Sequence, residues 1–193
     1  MRLFQKTFQI TNRTRVLDVG GDPSIWQFST VQPNLTILNL PATIQPSSGA
    51  MSHVAGDGCM LPFRDAAFDV VFSNSVIEHV GDRSRQRAFA EEAARVGRHY
   101  WIQTPNRRFP VELHVMLPLI HYLPKPLRRG IASRFMAWEL FVRPTKEQRA
   151  AYLHHFLNEL NLLEARELQA LFPDSKIVTE RLCGLVKSLI AVR

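Results

Sequence analysis

The feature that most constrains this chain is a rhythm. Through its first hundred residues, short apolar runs rich in β-branched side chains alternate with stretches of helical pattern. Residues 14–20 (TRVLDVG), 35–40 (LTILNL), 51–55, 68–73 (FDVVFS) and 98–104 (RHYWIQT) read as strands; 24–31, 75–80 and 82–96 read as helices. Buried strands separated by helices predict an α/β fold, a parallel sheet covered on both faces. After a helix over 161–172, residues 176–181 and 185–192 form two further strands joined through Cys183-Gly184. So tight a connection forces antiparallel pairing. The expected architecture is therefore a Rossmann-like three-layer sandwich, its seven-stranded sheet mostly parallel with a C-terminal antiparallel hairpin.

The 193 residues, with no internal repeat, fit one domain spanning 1–193. The rhythm breaks once. Over 105–150, Pro110, Pro118, Pro124, Pro126 and Pro144 punctuate an apolar, basic stretch without clear period. Long irregular segments inside a domain are often lids, and this one reads as an inserted lid of short helices on the acceptor side. It also concentrates charge. The chain carries +7, and residues 101–150 hold nine Lys/Arg against three Glu, so the remainder is close to neutral. Such a block points to an anionic small molecule, an anionic lipid surface or nucleic acid, or to a plain solvated face. Aromatics are not interleaved with the basic residues as a base-stacking groove needs, which argues against nucleic acid.

Other classes are narrowed by what the sequence lacks. No run of apolar residues is long enough to span a bilayer, and the first residues (MRLFQKTFQITNRTR) lack the apolar block of a secretory leader. Cys59 and Cys183 lie far apart without a CxxC neighbour, which reads as two reduced thiols and a cytoplasmic protein. No Cys/His group has zinc spacing, so no metal site is expected.

Four places carry chemistry. The first strand ends in Val16-Leu17-Asp18-Val19-Gly20-Gly21, an acid and two glycines before a helix. Glycine lets the backbone turn sharply and approach a ligand, and ligands of doubly wound sheets sit beyond the strands' carboxyl ends. The second strand ends near Asn39, able to accept one hydrogen bond and donate another. Gly56-Asp57-Gly58 follows the third strand; it reads as a carboxylate set to accept from an amine, or as a plain Asx turn. The fourth strand ends in Ser73-Asn74-Ser75, with Glu78 and His79 just beyond.

Taken in order and spacing, VLDVGG, GDGCMLPFRDAAFDVVFSNSVIEHV and YWIQTPNRRFP resemble the type 11 family of class I methyltransferases, over about residues 14–110. The ending LCGLVKSLIAVR is similar to the last hairpin of such proteins. The resemblance implies S-adenosyl-L-methionine lying across the strand ends. Asp18, Gly20 and Gly21 would border its methionine part and Asn39 its ribose. Asp57 and Gly58 would meet adenine, and Asn74 and Ser75 the sulfonium. Two positions depart from the family pattern. Its G-x-G-x-G turn is Gly20-Gly21-Asp22-Pro23 here, and its acidic ribose ligand is Asn39.

The reaction implied is methyl transfer to a small-molecule or lipid-like acceptor. In-line attack on a sulfonium needs alignment and desolvation, and a hydroxyl or amine acceptor also needs a base. His79, His114 and Glu112 are the candidates, each with a purely structural alternative. Three further expectations complete the reading: contact of the 105–150 segment with anionic membrane, a homo-oligomer, and, as the rival function, a non-catalytic scaffold that kept the fold. A nicotinamide-dependent oxidoreductase would need G-x-G-x-x-G at the first turn, which this sequence lacks.

Overall fold

A computed structural model of the chain describes residues 1–43, 51–112, 117–134, 144, 145, 147–150, 153 and 160–193. Seven strands form one sheet: β1 (Arg15–Val19), β2 (Asn34–Asn39), β3 (Ser52–Ala55), β4 (Phe68–Asn74), β5 (Gly97–Pro105), β8 (Lys176–Leu182) and β9 (Leu185–Val192). Their order is β3-β2-β1-β4-β5-β9-β8. The first five are mutually parallel, while β9 runs antiparallel to both β5 and β8. The order reverses at β1, with β2 on one side and β4 on the other, and a crevice opens at such a switch point.

Alternation along the strands divides the core. Leu17, Val71, Tyr100 and Ile102 face one side and pack against Phe89, Ala90, Ala93 and Val96 of helix α2 (Arg83–Val96) and Leu168 of helix α4 (Ala165–Leu171). Val16, Val70, Phe72 and Trp101 face the other, against Phe4 of helix α1 (Arg2–Phe8) and Trp26. Helices on both faces make the three layers.

Three expected elements differ. The helix over 24–31 is a 3-10 helix, Pro23–Phe28, capped by Asp22, whose side chain accepts from the Ser24 N–H at 2.8 Å. It is cut short because the Gln5 side chain holds the chain that follows, donating to the Ser29 hydroxyl and the Val31 carbonyl. The helix over 75–80 is a turn, since its carbonyls are claimed from outside. Gln86 takes the Ile77 oxygen, the Asn161 backbone N–H that of Glu78, and Arg85 that of Val80. A backbone satisfied by side chains and neighbouring chain gains nothing by coiling. The last helix begins at Ala165 rather than 161, because Asn161 and Leu163 are bonded to the Glu78 and Arg107 backbones.

The turn of the terminal hairpin holds Cys183 (φ 49°) and Gly184 (φ 80°), the left-handed pair that matches strand twist. Both cysteines are free thiols. Of the segment 105–150, the described parts are a ribbon of β6 (Val111–Glu112) and β7 (Leu117–Pro118), a 3-10 turn (Ile120–Tyr122), helix α3 (Lys125–Arg134) and helical residues 147–150. No helix among the described residues is long and apolar enough to cross a membrane.

Candidate active site

A cleft of about 440 Å³ opens at the carboxyl ends of β1, β2, β3 and β4. Gly20, Asn39, Asp57, Gly58, Ser75 and His79 line it, with apolar walls from Leu38, Val76, Val80 and Phe89. Its volume is that of a small-molecule or cofactor site.

The glycine turn is held by close approach. Gly20 sits at φ 74°, and its N–H donates to the Leu38 carbonyl at 2.7 Å. A Cβ there would stand 2.6 Å from Val76 Cγ2, so the turns after β1 and β4 meet at this point. Gly21 is not among the lining residues; a Cβ on it would fall 2.0 Å from Asp18 Oδ2. Asp18 is fully buried beneath the turn, accepting from Trp26 Nε1 at 2.7 Å, and its Oδ1 has no hydrogen-bond partner among the described residues. Burial pushes this carboxyl up to about 7, against the pull of the Trp26 bond, and nearby Asp22 adds to the rise.

Asn39 lines the cleft and donates through Nδ2 to the Gly21 carbonyl at 3.0 Å, leaving Oδ1 to accept. Next along the wall is Asp57. Its Oδ1 accepts from the Cys59 N–H at 2.9 Å and its Oδ2 from Arg85 Nη2 at 2.7 Å. Burial alone would raise this carboxyl, but the Cys59 and Arg85 bonds together hold it below its ordinary value. The Asx turn and the half-buried carboxylate lining the cleft are thus one arrangement. Gly58 is needed for packing, since a Cβ there would meet Phe89 at 2.8 Å and Val19 at 3.0 Å.

At the end of β4 the chain bends at Ser75, held in the left-handed region (φ 58°) by its N–H bond to the Gln103 carbonyl at 3.0 Å. Strain of this kind in a non-glycine residue is common at working sites. Ser75 lines the cleft and Asn74 does not. His79 lines it too, its Nε2 lying 3.9 Å from Oε1 of the fully buried Glu78. The other Glu78 oxygen accepts from the Thr104 hydroxyl at 2.9 Å. His114 lies outside the described residues, as does the side chain of Glu112.

Residues 26–99 match a family model described as a methyltransferase domain. The match covers less than half of the chain. Solved structures agree in fold. The Burkholderia thailandensis 1,6-didemethyltoxoflavin-N1-methyltransferase, with bound 1,6-didemethyltoxoflavin and S-adenosylhomocysteine, has a TM-score of 0.60 at 12% identity, covering 99% of this chain and 74% of its own. The Haloferax volcanii methyltransferase in complex with the Trm112 methyltransferase activator has 0.54 at 13%, covering 98% and 87%. A Rhodobacter sphaeroides structure described as a Zn-dependent alcohol dehydrogenase reaches 0.60 at 11%, covering 98% and 86%. At such identities the likeness is one of architecture, and function rests on the site. Comparison with the curated proteins finds no match.

The chemistry of the cleft's lining is compatible with a nucleoside ligand. Apolar walls stand beside the Asp57 carboxylate, Asn39 Oδ1 is left to accept, and a Cβ at Gly20 would run into Val76. Two residues in contact with candidate site residues escaped the sequence. Arg85 looks like one more charge on an exposed helix, and only its distance from Asp57 shows that it borders the cleft. Trp26 is a core residue whose indole N–H is also the partner of Asp18.

Proposed function

We propose that this protein transfers a methyl group from S-adenosyl-L-methionine to a small-molecule or lipid-like acceptor, with His79 as the base. The observation that carries the reading is the meeting of Gly20, Asn39, Asp57, Ser75 and His79 around one cleft at the switch point of the sheet. The cofactor, when bound, supplies an electrophilic methyl on a sulfonium. The chain supplies the rest. Asp57 accepts from the exocyclic amine of adenine, and Leu38, Val80 and Phe89 exclude water beside the ring. The Asn39 Oδ1 accepts from a ribose hydroxyl. Gly20 and Ser75 leave the backbone close to the methionine part.

Histidine is the side chain best suited to proton removal from a hydroxyl or amine acceptor near neutral pH, and His79 lines the cleft. Glu78 would orient the ring and stabilise its protonated form, the carboxylate being fixed in turn by Thr104. The test uses S-adenosylmethionine with a labelled methyl group and separated lipid and polar extracts as acceptors. Label should enter one fraction, and His79→Ala should abolish this while leaving cofactor binding within about twofold, because the residue acts on the acceptor. Full transfer by the variant would remove His79 from the role.

A non-catalytic binding protein is the second reading, and two bonds favour it. Asp18 is engaged by Trp26, and the Asn39 amide is spent on the Gly21 carbonyl. The activator bound to the Haloferax volcanii protein supports a third variant, an enzyme completed by a partner.

A further inference from the structure

The segment that closes the carboxyl end of β5 has an outer surface the cleft does not explain. It is tied down at two points, the Leu119 N–H to the Pro110 carbonyl at 2.7 Å and the Tyr122 hydroxyl to the Arg107 carbonyl at 3.0 Å. Helix α3 then packs by one face. Ala132 is fully buried, and Arg128 donates to the His121 and Leu123 carbonyls. Leu127 and Ile131, one turn apart, stand outward at 56% and 41% exposure. Leu119 and Tyr122 are each 54% exposed, so this stretch of thirteen residues holds four of the ten exposed large hydrophobic side chains among the described residues. Leu119 is moreover kept at φ 58°, a conformation a branched side chain rarely takes.

Along the chain, the charge beside these side chains has one sign. From Leu113 through Trp138 the sequence contains no Asp or Glu, while Lys125, Arg128, Arg129 and Arg134 lie on α3. Exposed aliphatic side chains set among cations fit a partner that is apolar beneath an anionic surface. A protein partner would need a matching acidic rim around an apolar pocket. Nucleic acid would need aromatic platforms, and Tyr122 is the one exposed aromatic residue of this stretch.

We propose that residues 117–134 dock this domain on an anionic lipid bilayer, with Leu119, Tyr122, Leu127 and Ile131 entering the interface and Arg129 and Arg134 meeting the phosphates. This stands apart from the methyltransferase reading, because it needs neither cofactor nor acceptor. The experiment is co-sedimentation of the full chain with vesicles of phosphatidylcholine alone and of phosphatidylcholine with phosphatidylglycerol, at low and high salt. Binding should occur on the anionic vesicles, fall with salt, and be absent or at least roughly tenfold weaker on the neutral ones.

Leu127→Glu with Ile131→Glu should abolish binding, and Arg129→Glu with Arg134→Glu should weaken it about tenfold or more. All four side chains are solvent-facing, and circular dichroism checks that each variant is folded. Leu182→Glu with Leu185→Glu, which removes exposed leucines from the hairpin instead, should bind as the parent does. Equal binding to neutral and anionic vesicles would overturn the proposal. So would undiminished binding by the Leu127/Ile131 variant. Self-association of the parent without vesicles, lost in that same variant, would also overturn it by showing that the face is covered by a second copy.

Discussion

Arg85 reaches over the mouth of the cleft to Asp57. Its Nη2 donates to Oδ2 at 2.7 Å, while its Nε donates to the Val80 carbonyl at 2.6 Å. One guanidinium thereby fixes the loop after β3 to the turn after β4, the two walls between which adenine is proposed to sit. In the proposed function it is a positioning residue, acting on the ligand through Asp57. Arg85→Gln should weaken S-adenosylhomocysteine binding by about 1 kcal/mol, roughly fivefold, with Arg85→Lys between the two, because the pair is half exposed and screened. Calorimetric titration of the three proteins checks this; equal affinities would reduce the pair to a surface contact.

The buried Asp18 makes stability depend on pH. Its folded-state value, raised by burial to about 7, lies above that of an unfolded aspartate, so the folded protein holds a proton that the unfolded chain releases. Stability from this group is full below the unfolded value and falls as pH rises through the window from about 4 to 7. Asp18→Asn cannot ionise, so relative to the parent it should gain a few kcal/mol between pH 5 and pH 8. Urea denaturation at both pH values measures the difference. A constant gap would place an unperturbed carboxyl at this site.

Gly20 carries two constraints, positive φ and contact with Val76. Gly20→Ala meets both, and should cost about 1–3 kcal/mol of stability while obstructing the turn. Thermal melting reports the first effect and cofactor titration the second. Loss of affinity in a variant that melts like the parent would still fit, whereas unchanged values of both would show that the turn relaxes freely.

Thr104→Val removes the hydroxyl that donates to the buried Glu78. The shape is kept and a buried carboxylate oxygen loses its bond, so destabilisation of about 1.5–3 kcal/mol is expected. Denaturation of the variant alongside Glu78→Gln separates the bond from the charge.

How much of this was legible in the sequence follows from what each signal measures. Strand positions came through because buried strands are apolar whatever packs on them, and β9 lies where the sequence placed it, over 185–192. The seven-stranded mixed sheet follows from those strands and the short Cys183-Gly184 link. The turn at 75–80 did not, because it is decided by Gln86, Arg85 and Asn161, residues reaching in from elsewhere. The cleft divides the same way. Gly20, Asn39, Asp57, Gly58 and Ser75 stand at or just beyond strand ends, where position alone draws attention, and His79 follows in the turn after β4. Asp18 stands at a strand end too, but which way its carboxyl faces depends on Trp26, across a turn that sequence spacing does not describe.

The central claim is that the cleft between β1 and β4 binds S-adenosylmethionine with Asp57 at its adenine end. The direct measurement is calorimetric titration of the parent and of Asp57→Ala with S-adenosylmethionine and S-adenosylhomocysteine. Saturable one-site binding by the parent, weakened by about 1–3 kcal/mol in the variant, is the expected result. A folded parent that binds neither ligand, or a folded variant that binds as the parent does, would contradict it.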